Sequence, residues 1–127
     1  MVTKRKSGNA KVRLTERALL DIADVEEYSI ETWGKRVANR YLADIEAALI
    51  RLSDNPDLLR FEEPFHKSLR FYQVAKHLLV ADVIDDTIFI LTVVNAQLDI
   101  PTRLAELEPT LVAETELLHL QLKKSRK

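Results

Sequence analysis

The chain has no cysteine, two glycines, four prolines, one tryptophan and one methionine in 127 residues. Each scarcity removes a class of explanation. Without cysteine there is no disulfide framework, no thiolate metal site and no cysteine nucleophile. With only Gly8 and Gly34, a glycine-rich phosphate loop has no place, and neither a Walker motif nor a GxSxG elbow is present. No apolar run approaches the roughly 20 residues that a membrane-spanning helix needs. The basic start, Met1 to Lys11, is not followed by the apolar segment of a secretion signal. The expectation is a cytoplasmic protein without a membrane partner.

What is present is the balance of a folded protein, with 46% apolar and 31% charged residues. The length suits one domain with its own core. Formal net charge is -1, yet residues 1–17 carry +5 and residues 119–127 carry +4, so the body between them carries -10. A broad phosphate-binding face needs clustered Lys and Arg, which an acidic body does not supply. Residues 1–10 are polar and basic, and disorder is expected there.

The elements follow from spacing. Lys11 to Leu14 reads as a short strand with Val12 and Leu14 on one face. Thr15 suits a helix N-cap, with Glu16 in the first turn. A first helix from Glu16 to Thr32 puts Ala18, Ile22, Val25 and Ser29 on one stripe. Gly34 can close it in a left-handed conformation. A second helix from Lys35 to Ser53 aligns Ala38, Tyr41, Leu42, Ile45, Ala48, Leu49 and Leu52, and Asn55-Pro56 stops it. So short a connection makes the pair antiparallel. After a loop over residues 57–67 come three strand-like runs, Ser68 to Ala75, His77 to Ile84 and Thr87 to Asn95, with a tight turn at Asp85-Asp86. They are expected to pair antiparallel, with the helical hairpin on one face of the sheet. Leu104, Leu107, Leu111, Leu118 and Leu122 form a helical stripe beyond Pro101. Pro109 is expected to break it into a short turn at Thr102 to Glu106 and a helix from Thr110 to Lys123.

Candidate chemistry is sparse. His66, His77 and His119 lack the i, i+4 partner of a helical zinc site. His66 reads as a loop residue and His119 as an exposed helix residue. His77 opens a strand. The pairs Glu26-Glu27, Glu62-Glu63 and Asp85-Asp86 are ordinary on solvated turns and helix faces. No catalytic, cofactor-binding or metal-ligating residue is assigned, which favours a protein that works by binding. Trp33 beside Gly34 is read as a pivot filling the end of the helix pair.

One resemblance covers about residues 11–104. Leu14-Thr15, Ala18, Asp21-Ile22, Tyr28, Thr32-Trp33-Gly34, Ala38, Tyr41-Leu42, Ile45, Leu49, Leu52 and Asn55-Pro56 resemble the helical hairpin of the ParE branch of the RelE/ParE toxin superfamily. Arg70, Tyr72, Val74, His77, Ile88, Ile90-Leu91, Val93 and Leu98-Asp99 continue the pattern through the strands. The resemblance implies an α+β fold: an N-terminal strand, then an antiparallel helical hairpin packed on a small antiparallel sheet. Here a C-terminal helical extension follows. It divides the chain into a disordered basic segment over residues 1–10, a toxin-like domain over 11–104 and an extension over 105–127.

The resemblance further implies the toxin of a type II toxin–antitoxin system, of the kind that stabilises plasmids. Such a toxin acts on DNA gyrase and is neutralised by a ParD-like antitoxin that wraps it. RelE relatives instead cleave messenger RNA on the ribosome. Here the family's His-x-x-x-Tyr-Arg strand reads His77 to Asp82, with Ala81 and Asp82 in the aromatic and basic places. The last strand carries Thr92, Asn95 and Gln97 where two arginines and a histidine are usual. RNA cleavage needs cations for the developing phosphate charge and groups that move protons. The departures therefore point away from a ribonuclease. They leave a degenerate, non-toxic binding module of the same fold as the alternative. Arg70, Tyr72 and His77, flanking the sheet, are the expected partner contacts, and no cofactor or small-molecule substrate is expected.

Overall fold

The computed structural model describes residues 10–66 and 68–125. Of residues 1–10, expected to be disordered, 1–9 lie outside the described residues, and Ala10 is half-buried with its amide donating to the Ser53 carbonyl at 3.1 Å. Strand β1 (Lys11–Leu14) leads into helix α1 (Glu16–Trp33) through Thr15. The Thr15 hydroxyl accepts from the Ala18 amide at 3.1 Å and lies 2.9 Å from the Leu91 carbonyl. One residue thus caps the helix, a contribution of about 1 kcal/mol, and pins its start to the sheet. Gly34 links α1 to helix α2 (Lys35–Asp54) with φ +95°, a backbone conformation that side chains oppose.

A short 3₁₀ turn (Pro56–Leu58) and the two-residue strand β2 (Arg60–Phe61) occupy a stretch that reads in sequence only as loop. Strands β3 (Arg70–Val74), β4 (His77–Ile84) and β5 (Thr87–Asn95) form the antiparallel meander. Ala75 and Asp85 take positive φ at the two turns. The sheet order is β1-β5-β4-β3-β2, and β1 pairs with β5 in parallel. The sheet is therefore mixed, because the N-terminal strand enters alongside the last one. In the β4–β5 register Val80 faces Thr92 and Ala81 faces Ile90, so Leu91 is the extra residue of a bulge.

The two faces bury separate cores. Ala18, Ile45, Ala48 and Leu52 of the hairpin pack on Val74, Leu79, Ala81, Ile88, Ile90 and Val93. On the other face, Phe71, Leu78, Val80, Phe89, Leu91 and Val94 meet Ile100, Leu104, Leu107 and Leu111 of helix α3 (Ile100–Ser125). The hairpin alone covers one face, and α3 turns two layers into three. The break expected at Pro109 does not occur, since α3 runs through it. Pro109 and Ala105, the residue whose carbonyl loses its partner, are both exposed. Water can solvate that carbonyl while the leucine stripe stays on the sheet.

Candidate functional site

The hairpin passes over the ends of β4 and β5, where His77 pairs with Asn95. Two adjoining hollows open there, of about 450 and about 760 Å³. Asp24, Val25, His77 and Asn95 line both. His77 is thus the rim between them. Tyr41, on the apolar stripe of α2, reaches it: the phenol oxygen lies 2.6 Å from His77 Nδ1 and donates to the Val74 carbonyl at 3.1 Å. A hydroxyl has one proton to give. With that proton on Val74, Nδ1–H donates to Tyr41, and Nε2 remains an acceptor. Burial is the main cause that lowers the His77 pKa, and the neighbouring Lys76 charge adds to it. Burial likewise raises that of Tyr41. Both groups are therefore neutral at pH 7, as a half-buried polar pair favours.

The larger hollow has an aromatic wall. Tyr28 and Trp33 pack edge to face with centroids 5.8 Å apart, and Lys76 Nζ lies 5.8 Å from the Trp33 ring centre. Trp33 is 51% exposed and Tyr28 60%. The pivot role expected of Trp33 inside the helix pair is thus replaced by a place on the cleft wall, because Gly34 turns the chain before the indole can be enclosed. Val37 adds apolar surface, and the lining also holds two cations, Arg40 and Lys76, and two carboxylates, Asp24 and Asp44. Aromatic surface with balanced charge suits an amphipathic peptide better than a phosphate chain.

In the smaller hollow Asp21, Asp99 and Glu106 have structural tasks. Asp21 accepts from the Thr92 hydroxyl and from the Val93 amide at 3.0 Å. Asp99 accepts from the Thr102 hydroxyl at 2.9 Å, and Arg103 meets Glu106 at 3.3 Å. Asn95 Oδ1 accepts from the Gln97 amide at 2.8 Å. Among the described residues no group of three His, Asp or Glu is placed to hold a metal ion.

The expected contact residues do not form one cluster. Arg70 and Tyr72 alternate on β3, so both point to the hairpin face. The Arg70 guanidinium sits 4.6 Å over the Phe61 ring, and Arg51 Nε donates to the Tyr72 hydroxyl at 3.2 Å. His77 lies beyond the far end of β3, in the cleft. Sequence reading missed Tyr41 and the Tyr28–Trp33 wall as site residues. The stripe hid the phenol of Tyr41, and the one signal for the wall is two large aromatics five residues apart near a helix end. His66 lies elsewhere, with Nδ1 accepting from the Ser68 amide at 3.1 Å and Nε2 3.4 Å from Glu108. Asp82 lines a third hollow of about 180 Å³ with His66 and Glu108. The His119 side chain lies outside the described residues.

Comparison with known proteins gives the following. No curated protein matches the chain. Among solved structures, the chain is similar to one described as the chromosomal ParDE toxin–antitoxin system from P. aeruginosa. That match has a TM-score of 0.62 and 14% identity, covering 69% of this chain and 97% of that one. It is also similar to one from the toxin–antitoxin complex RelBE2 of Mycobacterium tuberculosis. There the TM-score is 0.51 at 20% identity, covering 70% of this chain and 94% of that one. At such identities these likenesses establish the fold alone. The model of the ParE toxin of the type II parDE system matches residues 12–99. That span runs from β1 to the residue before α3 and takes in the sheet and the helical hairpin, and the chain belongs to the ParE toxins of type II toxin–antitoxin systems.

Proposed function

We propose that this ParE-type toxin acts in the cytoplasm by binding a protein, DNA gyrase, and that a ParD-like antitoxin docking on the sheet and hairpin neutralises it. The observation that carries the reading is the charge-balanced cleft walled by Tyr28 and Trp33. Exposed tyrosine and tryptophan are the side chains that dominate protein interfaces. Where RNA-cleaving relatives carry cations, Thr92 and Asn95 are instead tied to Asp21 and to the Gln97 amide. Neither of these two side chains supplies a cation for the developing phosphate charge of RNA cleavage.

Inducible expression of the chain alone in bacteria tests the proposal. The expected outcome is growth arrest, with gyrase held in its cleaved-DNA state and supercoiling impaired. Normal growth with unaltered supercoiling sinks the toxin claim. Arrest with discrete ribosome-dependent message cleavage would restore the ribonuclease reading. A second reading, a binding module of this fold without toxicity, is favoured by the structural use of Thr92. It predicts normal growth together with retained antitoxin binding. Under either reading Arg70 with Tyr72, and separately His77, are the proposed partner contacts. Alanine at Arg70 or Tyr72 is expected to weaken antitoxin binding by about 1–2 kcal/mol, about tenfold in Kd.

A further inference from the structure

Helix α3 lies beyond the span of the family match, which ends at residue 99. Its first half is anchored, with Ile100, Leu104, Leu107 and Leu111 buried on the sheet. Past Leu111 the helix continues to Ser125, a further length of about 21 Å. In that half the side chains described are those of Val112, Ala113, Glu116, Leu117 and Leu120, and all are exposed. Leu117 is 55% exposed and Leu120 59%. A helix of this length is marginal in water without tertiary packing, and adjacent apolar side chains left open on it mark a contact surface.

The pattern around those leucines is specific. Ala113, Leu117 and Leu120 fall at i, i+4 and i+7, a stripe opposite the Leu104–Leu107–Leu111 face. The same spacing continues to Lys124. Glu116 and Lys123, seven residues apart, fall by spacing on one flank of the stripe. Ion pairs within a helix need a separation of three or four, so these two charges cannot satisfy each other in one chain. Charge is also segregated along the helix. Residues 105–116 hold Glu106, Glu108, Glu114 and Glu116 with no base, or -4. Residues 117–127 hold Lys123, Lys124, Arg126 and Lys127 with no acid, or +4. Read in reverse, this pattern is its own complement. Two such helices side by side and antiparallel set Glu116 of each against Lys123 of the other, as a two-fold axis requires. Parallel pairing would stand acids beside acids and bases beside bases.

We propose that the exposed stripe of α3 binds a second copy of this chain. The two helices pair antiparallel through Ala113, Leu117 and Leu120, and Glu116 of each copy meets Lys123 of the other. The leucines supply the attraction, and the ion pairs fix orientation and register. A contact a few turns long is smaller than a standard interface, so the dimer is weak and depends on concentration. It requires neither the toxin's target nor an antitoxin.

Sedimentation equilibrium of the full chain alone, at low salt and from about 1 µM to about 1 mM, tests this. The expected result is a shift from monomer to dimer within that range. Leu117→Glu and Leu120→Glu, at exposed positions, are each expected to leave a monomer throughout, with circular dichroism reporting that the variants are folded. Glu116→Lys and Lys123→Glu are each expected to weaken the dimer about tenfold. An equimolar mixture of these two variants is expected to associate at least as tightly as the unsubstituted chain, because every like-charged pair becomes an opposite pair. A monomer at all concentrations overturns the proposal, and so does growth into larger assemblies, since a two-fold contact closes. A dimer that both leucine substitutions leave intact places the contact elsewhere. A mixture no tighter than its components rules out the antiparallel arrangement.

Discussion

Tyr41 shows how one atom separates a packing residue from a site residue. Its ring belongs to the apolar stripe of α2, and its oxygen bridges Val74 and His77 at the mouth of the cleft. The pair makes a pH prediction. The His77 pKa lies below its ordinary 6.5 because burial and Lys76 oppose its charge. As pH falls, the unfolded chain takes up that proton before the folded one does. The His77 contribution to stability is therefore complete above 6.5 and is lost as pH drops from 6.5 toward the lower folded value. Urea unfolding midpoints are expected to fall between about pH 7.5 and about pH 5.5, and His77→Gln is expected to reduce that fall. An equal fall in the variant would assign the effect to other groups. Legibility at this scale was uneven. His77 was visible in the sequence as a strand-opening residue that could titrate. Its partner was not, because residues 36 apart meet only when the hairpin lies on the sheet.

At the scale of elements, the turn at Gly34 and the passage through Pro109 carry contrary lessons. Gly34 was legible as a helix stop, and its φ of +95° gives the reason. A Cβ added there meets nothing within 4 Å, so the cost of substitution is backbone strain alone. Gly34→Ala is expected to lower stability by about 1 kcal/mol in urea unfolding, with the fold retained. Pro109 was misread as a break. Local propensity charges about 3 kcal/mol for proline inside a helix. Burying Leu107 and Leu111 on either side of it recovers about 1.5–3 kcal/mol each, and both are buried. Tertiary burial therefore wins over propensity. Pro109→Ala restores the amide to the exposed turn and is expected to raise stability by about 1–3 kcal/mol, read as a higher thermal midpoint. A lower midpoint would show that the fixed backbone angle of proline helps fit α3 to the sheet.

For the whole molecule, α3 decides which surfaces are open. Ile100, Leu104, Leu107 and Leu111 close the face of the sheet opposite the hairpin. The cleft and the Arg70–Tyr72 patch stay open, and these are the surfaces proposed to meet a partner. Leu104 is 1% exposed, so Leu104→Ala is expected to cost about 2–5 kcal/mol in chemical unfolding, as cavities in tight cores do. A cost below about 1 kcal/mol would mean that α3 packs loosely and that this face can be uncovered.

By itself the sequence determined the order and kind of the main elements. Helical stripes, a β-branched run, a capping threonine and a turn glycine are local signals, set by spacing over a few residues. It also determined the family, through an ordered pattern of those residues from Leu14 to Asp99. Only the tertiary structure decided that β1 pairs with β5 in parallel, that Leu91 bulges, and that α3 forms the third layer. The same holds for the cleft, which Tyr28, Trp33, Tyr41 and His77 line from three elements. The physical reason is common to all of these. Each depends on contacts between residues distant in the chain, and neither periodicity nor propensity encodes which strand lies beside which.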